Sequence, residues 1–598
     1  MTTRAGFFGV LLLSLANSNL ACSKREPPPV DRVAILPFEL LSGEGGTDRA
    51  GPALLSSALA TVPNIAPMPV DSVEQGYAHR ANRFLHSYVV SRGGKLELRS
   101  DLEDAASHKM LRNLSVEGEA PAGMGPLTVK LAKEIRAAAK PVDSPAPEAY
   151  KLLNRAFEAT EPAEQDEAFA AAIQTDPRFG EAYVAWAKAL LARGDRERAA
   201  EIAEKGESAG LDEFTKANLA FIRARAEQTR GTDDGRAEIS ALKKLIALSP
   251  AAGNQYERLA ELEFAGRQFA ESSAAYREAL RLDPANGALD NMRGYAEAFA
   301  GNLEQARQAL KNYEVAAPEQ RANALDSLGE VDFSAGDFAG AEAAFLSAQE
   351  KDPAGGEWRK AAQARLMTGD LAGADRIFAR FAKEPAVYQR VQWEFVTGRR
   401  KSALANVQAE AAKSKGDRAA LLWAQAAVWQ LQTGDRVGAA GSARNILLEQ
   451  VTPVRNSLAG LTQFLLFGGS VGGSVGGSHS SGSPFVDALA SIFQQNFQTA
   501  LPPLEQAYAR TVPSADGQVR LLLAWANVET GHFDRAKELL RIVPIPMSSG
   551  DAMFTSLIFP RFFALRSAIL AREGKQAEAQ RDRQLFQQYS GDLPDKFH

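Results

Sequence analysis

Between Ala322 and Pro353 the chain reads ANALDSLGEVDFSAGDFAGAEAAFLSAQEKDP. Leu325, Leu328 and Gly329 fall on one face at helical spacing. Ala341, Phe345 and Ala348 do the same further on, with polar residues between. This predicts two short helices joined at Ser334-Ala335-Gly336-Asp337, where Gly336 is free to take positive φ. Asp352-Pro353 ends the second helix, because proline disfavours the α conformation before it and cannot donate inside it. Gly329 and Ala341 are small enough to let the helices approach, and Leu328 and Phe345 fill the space beside them. One such hairpin cannot bury its apolar face alone, so it requires neighbours.

The neighbours are written at a regular interval. Helix-ending prolines stand at Pro250, Pro284, Pro318, Pro353 and Pro385, separated by 34, 34, 35 and 32 residues. Turn glycines keep the same beat at Gly194, Gly231, Gly266, Gly301, Gly336, Gly369, Gly398 and Gly434. With Tyr256, Leu259, Ala260, Tyr276, Ala279 and Pro284 in one unit, and Gly294, Gly301, Ala306 and Pro318 in the next, the pattern resembles the tetratricopeptide (TPR) family. The match is strongest from Gly253 to Pro385. The resemblance implies a mainly α chain, a TPR-type α-solenoid, whose first helices line a peptide-binding groove. Projected onto this chain, the groove residues are Glu257, Glu261, Asn291, Tyr295, Asn323, Asp326, Glu330, Arg359 and Gln363. The TPR subfamily that clamps acidic carboxyl termini uses paired lysines and asparagines. Glu257, Glu261, Asp326 and Glu330 would repel such a tail, so the expected protein partner offers a neutral or basic segment.

Looser hairpins extend this array over residues 145–467. Tyr183, Trp186, Ala187, Gly194 and Ala199 form an early one. Trp358, Ala362, Gly369, Ala374 and Phe378, then Trp423, Ala427, Gly434 and Ala439, form later ones. These aromatics read as core. Regularity breaks after Phe467 in GGSVGGSVGGSHSSGS, a flexible low-complexity loop within residues 468–484. It contains G-x-S-x-G around Ser470, but a nucleophile elbow needs a strand before it and a helix after it. A glycine tract supplies neither, and no catalytic residue is assigned. Leu461–Phe467 and Phe485–Phe497 read as helices paired across the loop. Repeats resume over 485–598, with Leu523, Ala524, Gly531, Ala536 and Leu540, then Phe563, Gly574 and Ala579, and a polar tail that caps the array.

Before the repeats the period changes. Arg32–Phe38 reads as a buried strand, Ala50–Val62 as a helix, and Ile65–Val70 as a strand held to an edge by its two prolines. Phe84–Ser91 and Lys95–Glu103 flank Arg92-Gly93-Gly94 as a hairpin, with Leu96, Leu98 and Leu102 on the buried face. Met110–Glu117 adds a strand and Leu127–Ala139 a closing helix. Through VAILPFELLSGE, LLSSALATVPNIAPMPV, RFLHSYVVSRGGKLELRSDLED and LAKEIRAAA, residues 31–140 resemble the TolB amino-terminal-domain-like family, with a shorter segment between Val70 and Arg83. Many members of that family place this domain between an effector and TPR repeats. Here an export leader takes the effector's place. Pro141–Pro147 links the small α/β domain to the solenoid.

Composition narrows the rest. With 68 basic and 73 acidic residues the net charge is −5, and no long basic run points to nucleic acid. Six scattered histidines offer no metal-ligand spacing, and neither a metal nor a cofactor is expected. The one cysteine, Cys22, follows a leader with Arg4 and an apolar core, Phe7–Ala16, too short to span a bilayer. Asn17–Cys22 resembles a bacterial lipoprotein processing site, although Asn19 and Leu20 depart from its usual residues. This makes residues 1–21 a signal peptide, Cys22 the lipidation site, and residues 22–30 a stiff tether through Pro27-Pro28-Pro29. Ser23 after the cysteine, rather than aspartate, resembles an outer-membrane resident. The expectation is a non-enzymatic envelope scaffold facing the periplasm. The alternative is a cytoplasmic or inner-membrane signalling protein without its own effector.

Overall fold

The computed structural model describes residues 30–41, 46–139, 144–228, 235–381, 387–467, 483–545, 554, 557 and 559–592. The leader, Cys22, most of the glycine–serine tract and Gly231 lie outside these residues.

In the α/β unit, Pro37 divides the expected first strand. Lacking an N–H, it separates β1 (Asp31–Ile35) from β2 (Phe38–Leu40), while Leu36 still donates to the Leu85 carbonyl at 3.2 Å. β3 (Thr47–Asp48), α1 (Ala50–Leu59) and β4 (Ile65–Pro69) follow. α2 (Val73–Ala78) is a helix the periodicity does not announce. β5 (Arg83–Arg92), β6 (Lys95–Asp104), β7 (Met110–Glu119) and α3 (Met124–Ile135) complete the unit. β1 lies between β4 and β5, parallel to both, and β5–β6–β7 form an antiparallel meander. β4 is at the edge, where Pro67 and Pro69 interrupt no interior ladder. Gly93 and Gly94 take φ of 60° and 82°, the conformation a two-residue hairpin turn requires. Ile35, Leu55, Leu59, Leu85, Leu98 and Leu131 pack under α1 and α3, while Phe84 and Ala34 face α2.

From Pro147 onward the described residues are helical hairpins stacked side by side, a TPR-type α-solenoid. Arg321–Ser334 and Phe338–Lys351 show why the pattern folds this way. A Cβ on Gly329 would overlap the Phe345 ring, so only glycine permits this helix separation. Phe345 is fully buried there, and Gly336 turns the chain at φ 85°. The turn expected at Gly266 is built differently. Gly266 has φ −77°, and Arg267 takes the left-handed conformation at φ 61°.

Arg267 marks the larger architectural fact, that the array folds back on itself. Its guanidinium donates to Asp516 Oδ2 at 2.7 Å and to the carbonyls of Tyr508 and Thr511, and it stacks on the Tyr508 ring. Further on, Arg541 donates to the Phe299 carbonyl at 2.6 Å and Val543 N to the Ser334 carbonyl at 2.9 Å. Tyr589 Oη donates to the Leu366 carbonyl at 2.8 Å, and Asp592 N to the Gly398 carbonyl at 3.1 Å. Arg267 and the four acceptors Phe299, Ser334, Leu366 and Gly398 sit at the turns of five consecutive hairpins. The C-terminal repeats therefore run along that row of turns, and one apolar core joins Phe333 and Phe345 to Leu523, Trp525 and Phe563.

The α/β unit also docks on the helices. Tyr150 Oη donates to Asp48 Oδ2 at 2.6 Å, and Ser249 Oγ to the Ala60 carbonyl at 2.7 Å. Arg80 pairs with Asp283 at 2.5 Å, and Arg32 donates to the Leu282 carbonyl at 2.9 Å.

Candidate functional site

Helices Gly287–Ala300, Arg321–Ser334 and Trp358–Met367 are the first helices of three consecutive hairpins. Residues one repeat period apart occupy equivalent positions on neighbouring first helices, so they meet. Tyr295 Oη donates to Glu330 Oε2 at 2.7 Å. Lys360 Nζ donates to Glu330 Oε1 at 2.6 Å and to both Asp326 oxygens, at 2.7 and 2.8 Å. Asp326 and Glu330 stand one helical turn apart, so a single ammonium spans both. Lys360 also lies 5.6 Å from the Phe345 ring centroid.

Burial sets the electrostatics of this row. It pushes the Asp326 carboxyl up to about 6, against the opposing pull of Lys360. Burial works against the Lys360 charge as well, but Glu330 and Asp326 outweigh it and hold the ammonium above its ordinary range. Burial, then the Glu330 charge, keeps the Tyr295 hydroxyl protonated far into the alkaline range.

Of the nine projected residues, Tyr295, Asp326 and Glu330 therefore come together. Glu257 is half-buried a hairpin away, where burial and then Glu261 raise its carboxyl and Arg80 of the α/β unit opposes the shift. Glu261 is exposed and pairs with Arg258 at 3.2 Å. Asn291 is half-buried, and its Oδ1 has no hydrogen-bond partner among the described residues. Asn323 is exposed and donates to Tyr313 Oη at 3.0 Å. Arg359 reaches back to the Gly356 carbonyl, at 3.4 Å. Gln363 is 1% exposed and presents nothing to a groove, which removes it from the projected set. Lys360 is the residue the projection missed. Its signal was its position 34 residues after Asp326, one repeat period. The expectation of four unopposed carboxylates changes with it, since Asp326 and Glu330 share Lys360 and Glu261 has Arg258.

Tyr295 and Glu330 also line a cavity of about 410 Å³. Its near wall is formed by the helices Gly287–Ala300 and Arg321–Ser334 and its far wall by the returning C-terminal repeats, including Arg510, Arg520 and Val543. The cavity exists because the array folds back.

No family model matches the chain, and no curated protein matches it. Among solved structures, a crystal structure of MamA protein matches at 18% identity over 29% of this chain and 94% of its own, with a TM-score of 0.25. A structure of Naa15/Naa10 bound to HypK-THB matches at 15% identity over 73% of this chain and 75% of its own, with a TM-score of 0.28. The crystal structure of the P58(IPK) TPR domain matches at 13% identity over 64% of this chain and 98% of its own, with a TM-score of 0.17.

Proposed function

We propose that this chain is a scaffold that holds another protein at a bacterial envelope membrane, tethered through lipid on Cys22. The observation that carries the reading is the linked row Tyr295–Glu330–Lys360–Asp326 across three successive first helices. A row fixed by its own ion pairs keeps its shape before a partner arrives, which lowers the ordering cost of binding. Its two carboxylates share one ammonium, which leaves one negative charge, so a neutral or basic segment fits it better than an acidic one.

The α/β unit, with its TolB-like order of elements, supplies a second contact surface in this reading. The leader before Cys22 supplies export, and several acyl chains on the cysteine would hold the protein stably, where one chain alone binds marginally. Facing the periplasm, and by the residue after Cys22 residing in the outer membrane, the chain recruits and performs no chemistry of its own.

Membrane fractionation of wild type beside Cys22→Ala, followed by crosslinking of wild type beside Lys360→Glu, tests both halves. The reading expects wild type in envelope membranes, the cysteine variant released or unprocessed, and a crosslinked partner lost in K360E. Wild type and C22A both soluble in the cytoplasm would overturn the anchor and leave intracellular signalling as the better account. A partner retained unchanged by a folded K360E would overturn the site.

A further inference from the structure

β7 is the outer strand of the sheet and, among the described residues, pairs only with β6. Ala120 N donates to the Gly94 carbonyl at 2.9 Å, which sets the alternation of the antiparallel ladder. The main-chain groups of Asn113, Ser115, Glu117 and Glu119 therefore point away from β6. The Glu117 carbonyl shows the direction, since it accepts from Lys130 Nζ of α3 at 3.0 Å. All four residues are exposed, and so is Lys130, whose flexible stem lets a backbone donor displace it. A row of free N–H and C=O groups is a template for a further strand, and protected edges are kept short or bulged. β7 runs ten residues, and its register shift lies opposite Leu102 and Glu103, which leaves Asn113–Glu119 regular.

The side chains select the strand. Leu114 and Val116 are buried with Leu127 and Leu131 of α3. On the other face Asn113 donates to Asp101 at 2.6 Å and Ser115 Oγ to Glu97 at 2.7 Å. There Glu97 and Glu117 stand directly opposite each other, a like-charge pair that costs stability. Arg99 holds Glu97 through two bonds of 2.9 Å. Neither Glu117 nor Glu119 has an ion-pair partner among the described residues, although Lys95 stands opposite Glu119. Towards the start of the strand Met110 and Leu111 are 49% and 46% exposed. We propose that an extended segment of a partner protein adds to β7 as a further strand, with lysine or arginine at alternate positions beside Glu117 and Glu119 and an apolar residue beside Met110 and Leu111. Main-chain bonds to the free edge supply affinity, and the alternate cations supply choice. A second copy of Asn113–Glu119 carries no lysine or arginine, so the segment belongs to another chain. The inference rests on the reading of the α/β unit as a second contact surface and gives that surface its ligand.

The test uses the full chain and two peptides as long as β7, one alternating valine with lysine and one alternating valine with glutamate. Fluorescence anisotropy should show the lysine peptide binding about tenfold or more tighter than the glutamate peptide. Glu117→Lys combined with Glu119→Lys should reverse that order. Ser115→Pro removes an outward N–H without touching the ladder to β6, and should weaken the lysine peptide about tenfold. Amide hydrogen exchange should show Asn113–Glu119 gaining protection when the lysine peptide binds. Equal affinity for the two peptides, no binding of the lysine peptide, or no gain of protection over Asn113–Glu119 would overturn the inference. So would undiminished binding by a folded S115P, and should S115P fail to fold, the exchange pattern on the wild type decides. Lys360→Glu should leave the lysine peptide bound as before. Its loss in K360E would place the peptide on the first-helix row and overturn the edge, whereas failure of the anchor or of that row leaves the peptide result standing.

Discussion

Glu181 shows how much one buried residue can impose on the joint between the two units. It is 8% exposed, lies against the Ser57 hydroxyl of α1, and burial pushes its carboxyl up to about 7. A pKa raised by folding means that the folded state binds the proton more tightly than the unfolded chain. The stabilising contribution is therefore full below the ordinary value of 4.5 and is lost as pH rises through about 7. Over that window it amounts to at most about 3 kcal/mol. Asp326, raised to about 6, adds a slope of the same sign. Urea unfolding at pH 5 and pH 8 should show the wild type more stable at the lower pH, with Glu181→Gln removing much of the difference. Arg267 allows a second test at this scale. Alanine at its left-handed φ loses the Asp516 pair and keeps the backbone cost, while glycine loses the pair but not the conformation. Arg267→Gly should therefore be more stable than Arg267→Ala by about 1 kcal/mol in thermal unfolding.

Among elements, hairpin spacing was the most legible feature, because proline and glycine act on the backbone locally and repeat their effect at every period. The close approach at Gly329 was readable for the same reason, although the sequence set Ala341 opposite it and the structure brings the Phe345 ring there. Pro37 was visible in the sequence, but its consequence, two strands rather than one, depends on β5 continuing past it as a shared partner. The site was half legible. Tyr295, Asp326 and Glu330 follow from the repeat. The burial of Gln363 and the arrival of Lys360 depend on how Trp358–Met367 is rotated about its axis, and periodicity leaves that rotation open. Two glycines separate packing from propensity. Gly329→Ala should cost about 1–3 kcal/mol by forcing the Phe345 ring aside. Gly441→Ala, in a helix with nothing near its would-be Cβ, should stabilise by about 0.5–1 kcal/mol. Chemical denaturation of the two variants checks both values.

For the whole molecule, the decisive contacts join segments more than two hundred residues apart, such as Arg267 with Asp516 and Leu366 with Tyr589. No local pattern encodes them, which is why the return of the C-terminal repeats was invisible to periodicity. They make the middle and the end of the chain one cooperative body. Amide hydrogen exchange should therefore show helices around residues 321–367 and 517–590 opening together. Independent opening of the two regions would contradict the shared core.

The returning C-terminal segment also freezes the repeat number. An open array can gain or lose a hairpin during evolution at little expense, since each unit touches only its neighbours. Here the turns from Arg267 to Gly398 are rungs matched one by one by a single returning strand of partners. Each helix inserted between them would displace the later rungs by about 8–10 Å, beyond the reach of every hydrogen bond in the series. A hairpin duplicated between those two residues would break the series, so the array could lengthen there only if its returning partners were rebuilt with it.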